Sequence, residues 1–314
     1  MKAIKHYFLA TRPSFLTITL LGCLIGLFSS KNSIGQHWGI NLLAVSAAVF
    51  AHAAANVFND YFDHFNGTDS INSDRVPPFT GGSRYIQENI FSPAEIKQFG
   101  LALLLLSIGI GLYLCLQSTW ALLPIGIVCI AITWMYSAPP FDLMSRGFLG
   151  ELAITLSWAL IVIGFASLQL NQFDAAAILI ALAYGCMVAN ILFVNQIPDI
   201  KADQCSKKMT LAVRSSAKRL WIWYLAFLVS AYVFQIIAVE LGQTSSYTLV
   251  TLLIAPLFIG CAIKLKNGEL NKALMRTVIP LNILSVHLYA ILLCIGLLIG
   301  AKVPSWQTPP IPSY

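Results

Sequence analysis

The chain has 314 residues, 58% of them hydrophobic and only 10% charged. Soluble domains carry about 25% charged residues, so an ordinary cytosolic globule is excluded, as is intrinsic disorder, which needs low hydrophobicity and high net charge. The formal net charge of +6 raises nucleic acid as a partner, but the placement of the basic residues points to a lipid bilayer instead.

A hydrocarbon core of about 30 Å takes roughly 20 apolar residues as helix, and lipid offers no water to unpaired backbone groups. In chain order the apolar segments are 14–30, 39–58, 97–117, 119–136, 148–168, 174–194, 219–239, 247–264 and 278–300. They predict an all-α polytopic membrane protein of nine transmembrane helices, a single integral-membrane domain over 1–314. With the N-terminus inside, every Lys and Arg except Lys31 and Lys302 falls on the inner side. The positive-inside rule then makes the N-terminus cytoplasmic and the C-terminus external. The basic excess is a topology signal, and no nucleic acid is expected. The seven cysteines show no close pair and no metal-ligand spacing, and are read as packing residues.

Carboxylates obey no such topological rule, yet six of the thirteen acids lie between Asp60 and Glu95. The second span runs off its inner end as Asn56, Asn59, Asp60 and Asp63, followed by Gly67-Thr68-Asp69. On a continuing helix, Asn56, Asp60 and Asp63 share one face at i, i+4 and i+7, and His52 extends the stripe one turn deeper. The sixth span ends alike, with Asn195, Asp199 and Asp203 at i, i+4 and i+8. The pattern is thus repeated at 56–69 and 195–214, in two aspartate-rich cytoplasmic loops. Either the clusters are solvated helix ends with polar caps, or they bind metal; the duplicated spacing favours metal. Oxygen donors select hard ions, and Mg²⁺ prefers one or two carboxylates together with substrate phosphates. Two facing clusters of this kind would clamp a diphosphate. Lys207, Lys208 and Arg214 follow the second cluster, while Arg75 and Gly81-Gly82-Ser83-Arg84 follow the first. Such cations either neutralise phosphate oxygens or simply serve the positive-inside rule.

Asn59-Asp60-x-x-Asp63, Asp199-x-x-x-Asp203 and the nine spans together resemble the UbiA superfamily of intramembrane prenyltransferases, over nearly the whole chain from Thr11-Arg12-Pro13 onward. The run Asn56 to Asp69, with Asn195, Thr210-Leu211-Ala212-Val213-Arg214, Tyr136-Ser-Ala-Pro-Pro140 and Arg146-Gly147-x-x-Gly150-Glu151, looks like the branch that prenylates 1,4-dihydroxy-2-naphthoate for menaquinone. Gln196 and Pro198 depart from that branch, where a second Asn and often an Arg stand, and a usual Gly near position 207 is absent.

The resemblance implies Mg²⁺-dependent transfer of a polyprenyl group from an allylic polyprenyl diphosphate to an aromatic acceptor, in a bacterial inner membrane. It assigns Asp60, Asp63, Asp199, Asp203 and Asp69, with Asn56 and Asn195, to the metals, and Lys208 to the leaving group. Asn59, Arg75, Lys207, Thr210 and Arg214 are implied substrate contacts. Tyr136 and Tyr61 either stabilise the allylic cation through their rings or belong to the aromatic belt. Arg146 is the candidate for the acceptor carboxylate, or pairs with Glu151 at the interface. His52 touches the acceptor or is a satisfied bundle histidine. The alternative acceptor is 4-hydroxybenzoate or another phenol. A cation transporter would carry acids at the bilayer midplane, and the mid-span regions hold almost none.

Overall fold

Apolar composition with internally satisfied backbone drives almost every segment into helix. The computed structural model describes residues 2–30 and 38–302. Helix α1 (Lys2–Ala10) meets α2 (Pro13–Ser29) at a 58° bend. Arg12 makes that bend in the left-handed region, at φ 52°, and Pro13 opens α2 where its missing N–H has no partner to lose. Then come α3 (Trp38–Asn66), α4 (Thr68–Ile71), α5 (Pro93–Gln117), α6 (Leu122–Met135), α7 (Phe148–Leu170), α8 (Ile178–Gln196) and α9 (Ile200–Cys205). The series ends with α10 (Leu211–Arg214), α11 (Leu220–Glu240), α12 (Ala255–Asn267) and α13 (Lys272–Lys302). Two short strands, β1 (Arg146–Gly147) and β2 (Met209–Thr210), pair in parallel and join the start of α7 to the segment after α9.

Among the described residues seven helices are long and apolar enough to cross a membrane, and the bent α1–α2 pair makes eight. The protein is therefore an integral, multi-pass membrane protein. The fourth of the nine expected spans, 119–136, contains only the 14-residue α6, about 21 Å long at ~1.5 Å per residue, against a core of about 30 Å. Thr119 is the reason. Its Oγ1 accepts from the Ala121 N–H at 3.2 Å, and this side-chain turn competes with the helix that would have begun there. Lys31 and the tail beyond Lys302, which bear on the expected outer side, lie outside the described residues.

Helix α8 is the most enclosed of the long helices and α3 the least. Gly185 on α8 explains the first. A Cβ there would stand 2.2 Å from the Thr155 carbonyl oxygen on α7, so only glycine allows this backbone-to-backbone crossing. The 29 residues of α3 rise about 43 Å, longer than a bilayer core, and its last turns carry the first acid cluster. The second cluster departs from the expected continuous helical face. Helix α8 stops at Gln196, residues 197–199 form a turn, and Asp199 becomes the N-cap of α9. Pro198 lacks the N–H that would continue the helix. The aspartates stand on a helix end and on short helices rather than on open loops.

Candidate active site

The final turns of α3 place Asn59, Asp60 and Asp63 on neighbouring faces. Asp60 pairs with the Arg12 guanidinium, which the α1–α2 bend turns toward it, and accepts from the Ser83 N–H at 3.2 Å. Asn59 links the same arginine to the next acid. Its Oδ1 accepts from Arg12 Nη2 and its Nδ2 donates to Asp63 Oδ2, both at 3.0 Å. Asp69, on α4, is buried alongside. A Cβ at Gly82 would lie 2.8 Å from Asp69 Oδ2 and 3.1 Å from Asp60 Oδ1, so these two carboxylates converge on a place only glycine leaves open, with Gly82 at φ +68°. Arg84 Nη1 ties the loop down, donating to the Asp69 carbonyl at 2.6 Å.

Across from these stands the second cluster. Asp199 Oδ1 accepts from Asn72 Nδ2 at 2.7 Å, and Thr68 and Ser206 hydroxyls meet at 2.6 Å, joining α4 to α9. Lys208 lies between the clusters, with Nζ at 3.1 and 3.0 Å from the Asp63 oxygens and 3.9 Å from Asp203 Oδ1. Burial works against the lysine's charge, yet Asp63 and Asp203 hold its pKa above the ordinary value. Burial pushes Asp69 up to about 8, helped by Asp63 and Asp60. It pushes Asp203 up to about 7, against the pull of Lys208, and Asp199 also rises, chiefly by burial.

These groups close one end of a cavity of about 690 Å³. Its polar wall includes Asn56, Asn59, Asp63, Asp69, Tyr136, Asn195, Asp199, Asp203, Lys208 and Thr210. Its far walls are apolar, running back along α3 to Ala44 and between α5, α6 and α7. Asp60 sits beside Asp69 rather than on this wall. Four expected substrate contacts lie elsewhere. Lys207 is exposed at φ 61°, which directs the chain so that Lys208, not Lys207, turns inward. Arg75 packs on Gly81. Arg214 is exposed, packs on Gly147 and donates to the Met209 carbonyl at 3.0 Å. Arg146 is exposed and donates to the Pro140 carbonyl, because its strand pairing points it away from the cavity, and it makes no ion pair with Glu151. Glu151 is instead fully buried, and neither carboxylate oxygen has a hydrogen-bond partner among the described residues. Tyr61 packs with Phe62 and Phe65 under Lys97. Arg12 and Asn72, which position Asp60 and Asp199, carried no spacing signal in the sequence.

The donors at the polar end are Asp and Asn oxygens, a hard set suited to Mg²⁺. Asn195 Oδ1, Asn72 Oδ1 and Asp203 Oδ1 are buried without a hydrogen-bond partner among the described residues, a cost that a cation would remove. Among the described residues no three Asp, Glu, His or Cys side chains converge closely enough to hold an ion alone. The residues fit an ion that takes one or two carboxylates from the protein and its other ligands from a phosphate and water.

The model of the UbiA prenyltransferase family matches residues 19–286. The chain is 28% identical over 300 residues to the 1,4-dihydroxy-2-naphthoate octaprenyltransferase of Bacillus subtilis, covering 92% of this chain and 91% of that one. It is 30% identical over 239 residues to the protein of the same name in Mycobacterium tuberculosis, covering 76% of this chain and 78% of that one. Among solved structures, a UbiA homologue from Aeropyrum pernix has a TM-score of 0.68 at 16% identity, covering 91% of this chain and 97% of that one. A UbiA homologue from Archaeoglobus fulgidus bound to DMAPP and Mg²⁺ has a TM-score of 0.55 at 18% identity, covering 91% and 98%. With the family match running through both acid clusters and the helices around them, this chain belongs to the UbiA prenyltransferase family and is a prenyltransferase.

Proposed function

We propose that the enzyme transfers a polyprenyl group from an allylic polyprenyl diphosphate to 1,4-dihydroxy-2-naphthoate, giving a menaquinone precursor. The observation that carries this is the cavity, polar and acid-lined at one end and apolar at the other. From Asp63 back to Ala44 its α3 wall rises about 28 Å, room for an extended hydrocarbon tail whose head meets the acids. The relatives' printed names support the naphthoate acceptor.

Asp63, Asp69, Asp199 and Asp203, with the Asn56 and Asn195 amides and Asp60 alongside, would hold Mg²⁺, which would supply the positive charge that neutralises the diphosphate as a leaving group. Lys208 offers a fixed positive charge to the departing oxygens, already oriented by Asp63. Thr210, on the wall beside Lys208, orients the diphosphate. Tyr136 presents its ring to the allylic carbon as positive charge develops there. The apolar walls keep water from that carbon, which hydrolysis would otherwise consume. The electron-rich ring carbon that bears the carboxylate then forms the new C–C bond, and its bond to the carboxylate breaks, the electron pair returning to the ring as carbon dioxide leaves. The polar end faces the cytoplasm of a bacterial inner membrane, with the N-terminus on that side and α6 as a ninth, short traverse.

Purified enzyme offered a polyprenyl diphosphate and Mg²⁺ should prenylate the naphthoate and stop when the metal is chelated. Prenylation of 4-hydroxybenzoate instead, with its carboxylate retained, would overturn the acceptor assignment, and Gln196 and Pro198 are the residues that keep that second acceptor in view.

A further inference from the structure

We propose that His52 binds the aromatic acceptor, its Nε2–H donating to a ring-borne oxygen; this rests on the prenyl transfer to an aromatic acceptor proposed above. His52 lies on α3 one turn before Asn56 and lines the cavity, with Ala48, Ala51 and Ala55 as its neighbours on the same helix and Ile18 and Trp158 from α2 and α7 also on the wall. The imidazole is held from two sides. Its Nδ1 is 2.8 Å from Thr19 Oγ1 on α2, and the Trp158 indole on α7 meets it edge to face, with centroids 4.9 Å apart at 83°.

Thr19 sets the tautomer. Its side chain is fully buried, and among the described residues His52 is its one hydrogen-bond partner. A buried hydroxyl proton without an acceptor is costly, so Thr19 donates and Nδ1 accepts. The ring proton is therefore on Nε2. That nitrogen has no partner among the described residues, and the half-buried ring opens on the cavity. A donor oriented this firmly in an apolar chamber calls for an oxygen. The prenyl tail has none. The first acid of this helix on the cavity wall, where the diphosphate would be anchored, is Asp63, about 16 Å further along the helix. The aromatic acceptor is the substrate that brings an oxygen to this depth.

Steady-state kinetics of the full-length enzyme in detergent, varying acceptor and donor separately, tests this. The wild type is first offered dihydroxynaphthoate and 4-hydroxybenzoate, and the acid it prenylates serves for the series. Use of the benzoate alone overturns the naphthoate assignment without touching His52, and turnover of neither overturns both proposals. His52→Leu should raise the acceptor KM about tenfold, the scale of one hydrogen bond, and leave the prenyl diphosphate KM unchanged. His52→Gln, whose side-chain NH₂ restores a donor, should recover most of the loss. Thr19→Val, which frees the ring, should fall between and serves alone if His52→Leu does not fold. Unchanged acceptor KM in both His52→Leu and Thr19→Val, or equal rises for both substrates, would show a helix tie only and overturn the proposal.

Discussion

Lys208 and Asp63 are 145 residues apart in sequence, yet the lysine Nζ sits 3.1 and 3.0 Å from the two oxygens of that carboxylate. One buried cation thereby joins acid clusters contributed by the two halves of the chain, with Asp203 at 3.9 Å on its other side. Lys207 beside it is exposed. Lys208→Met should lower turnover by about 100-fold, the scale of removing one preorganised charge, and Lys207→Met by less than about threefold on the same scale. Equal losses in an assay of diphosphate release would remove Lys208 from the mechanism.

The two carboxylate clusters should be separately indispensable. Asp60→Ala, Asp63→Ala, Asp199→Ala and Asp203→Ala are each expected to cost at least about 100-fold in turnover. Asp174 caps the Ala175–Ala177 turn by accepting from the Ala176 N–H at 3.0 Å, so Asp174→Ala should cost about 1 kcal/mol of stability and little activity. Near-normal turnover in one mutant from each cluster would refute a two-cluster clamp.

Proton competition gives a distinct signature. An unfolded Asp titrates near 3.9, whereas Asp203 and Asp69 are raised to about 7 and about 8 by burial first. The folded, metal-free protein thus holds these protons more tightly than the unfolded chain. Their stabilising effect is complete below about pH 4 and is lost as pH rises through 7 and 8. The metal-free Tm should fall between about pH 4 and 8, and half-saturating Mg²⁺ should fall as pH rises through about 7 and 8 and protons cease to compete. A half-saturation that does not change with pH would contradict the involvement of these two acids.

Gly82→Ala should reduce activity more than stability. The added methyl would enter at 2.8 Å from Asp69 Oδ2 and force a side chain into positive φ. We expect a raised Mg²⁺ requirement with a thermal midpoint within a few degrees of wild type. A lower midpoint with normal metal dependence would make Gly82 a loop-folding residue only.

Much of the site was legible because helix periodicity is local. The stripe of Asn56, Asp60 and Asp63 falls on one unbroken helix, and the cavity wall carries Asn56 and Asp63 while Asp60 turns toward Arg12 and Asp69. The second motif was legible as chemistry but not as geometry, since Pro198 ends α8 and moves Asp199 to a cap. Arg75, Lys207 and Arg214 stand off the cavity wall, a placement the sequence does not show because a basic residue near an acid cluster has the same composition whether it faces substrate or solvent. The difference lies in backbone turns such as the positive φ of Lys207. Arg12, Asn72 and the β1–β2 pairing depend on tertiary contacts that no sequence spacing records.

Helix α6 has a consequence for the surrounding lipid. At 14 residues it falls about 9 Å short of a typical hydrocarbon core, and it forms one wall of the reaction chamber. As the short traverse proposed above, α6 would make the lipids beside it thin to cover its ends, at a cost that grows with acyl length. The chamber's lateral wall is thereby coupled to membrane thickness. In proteoliposomes of graded acyl length, turnover should peak in thinner bilayers, and a flat profile would show that α6 is shielded by its neighbours. Lipid composition then becomes a regulator of prenyl transfer that acts without binding at the acids.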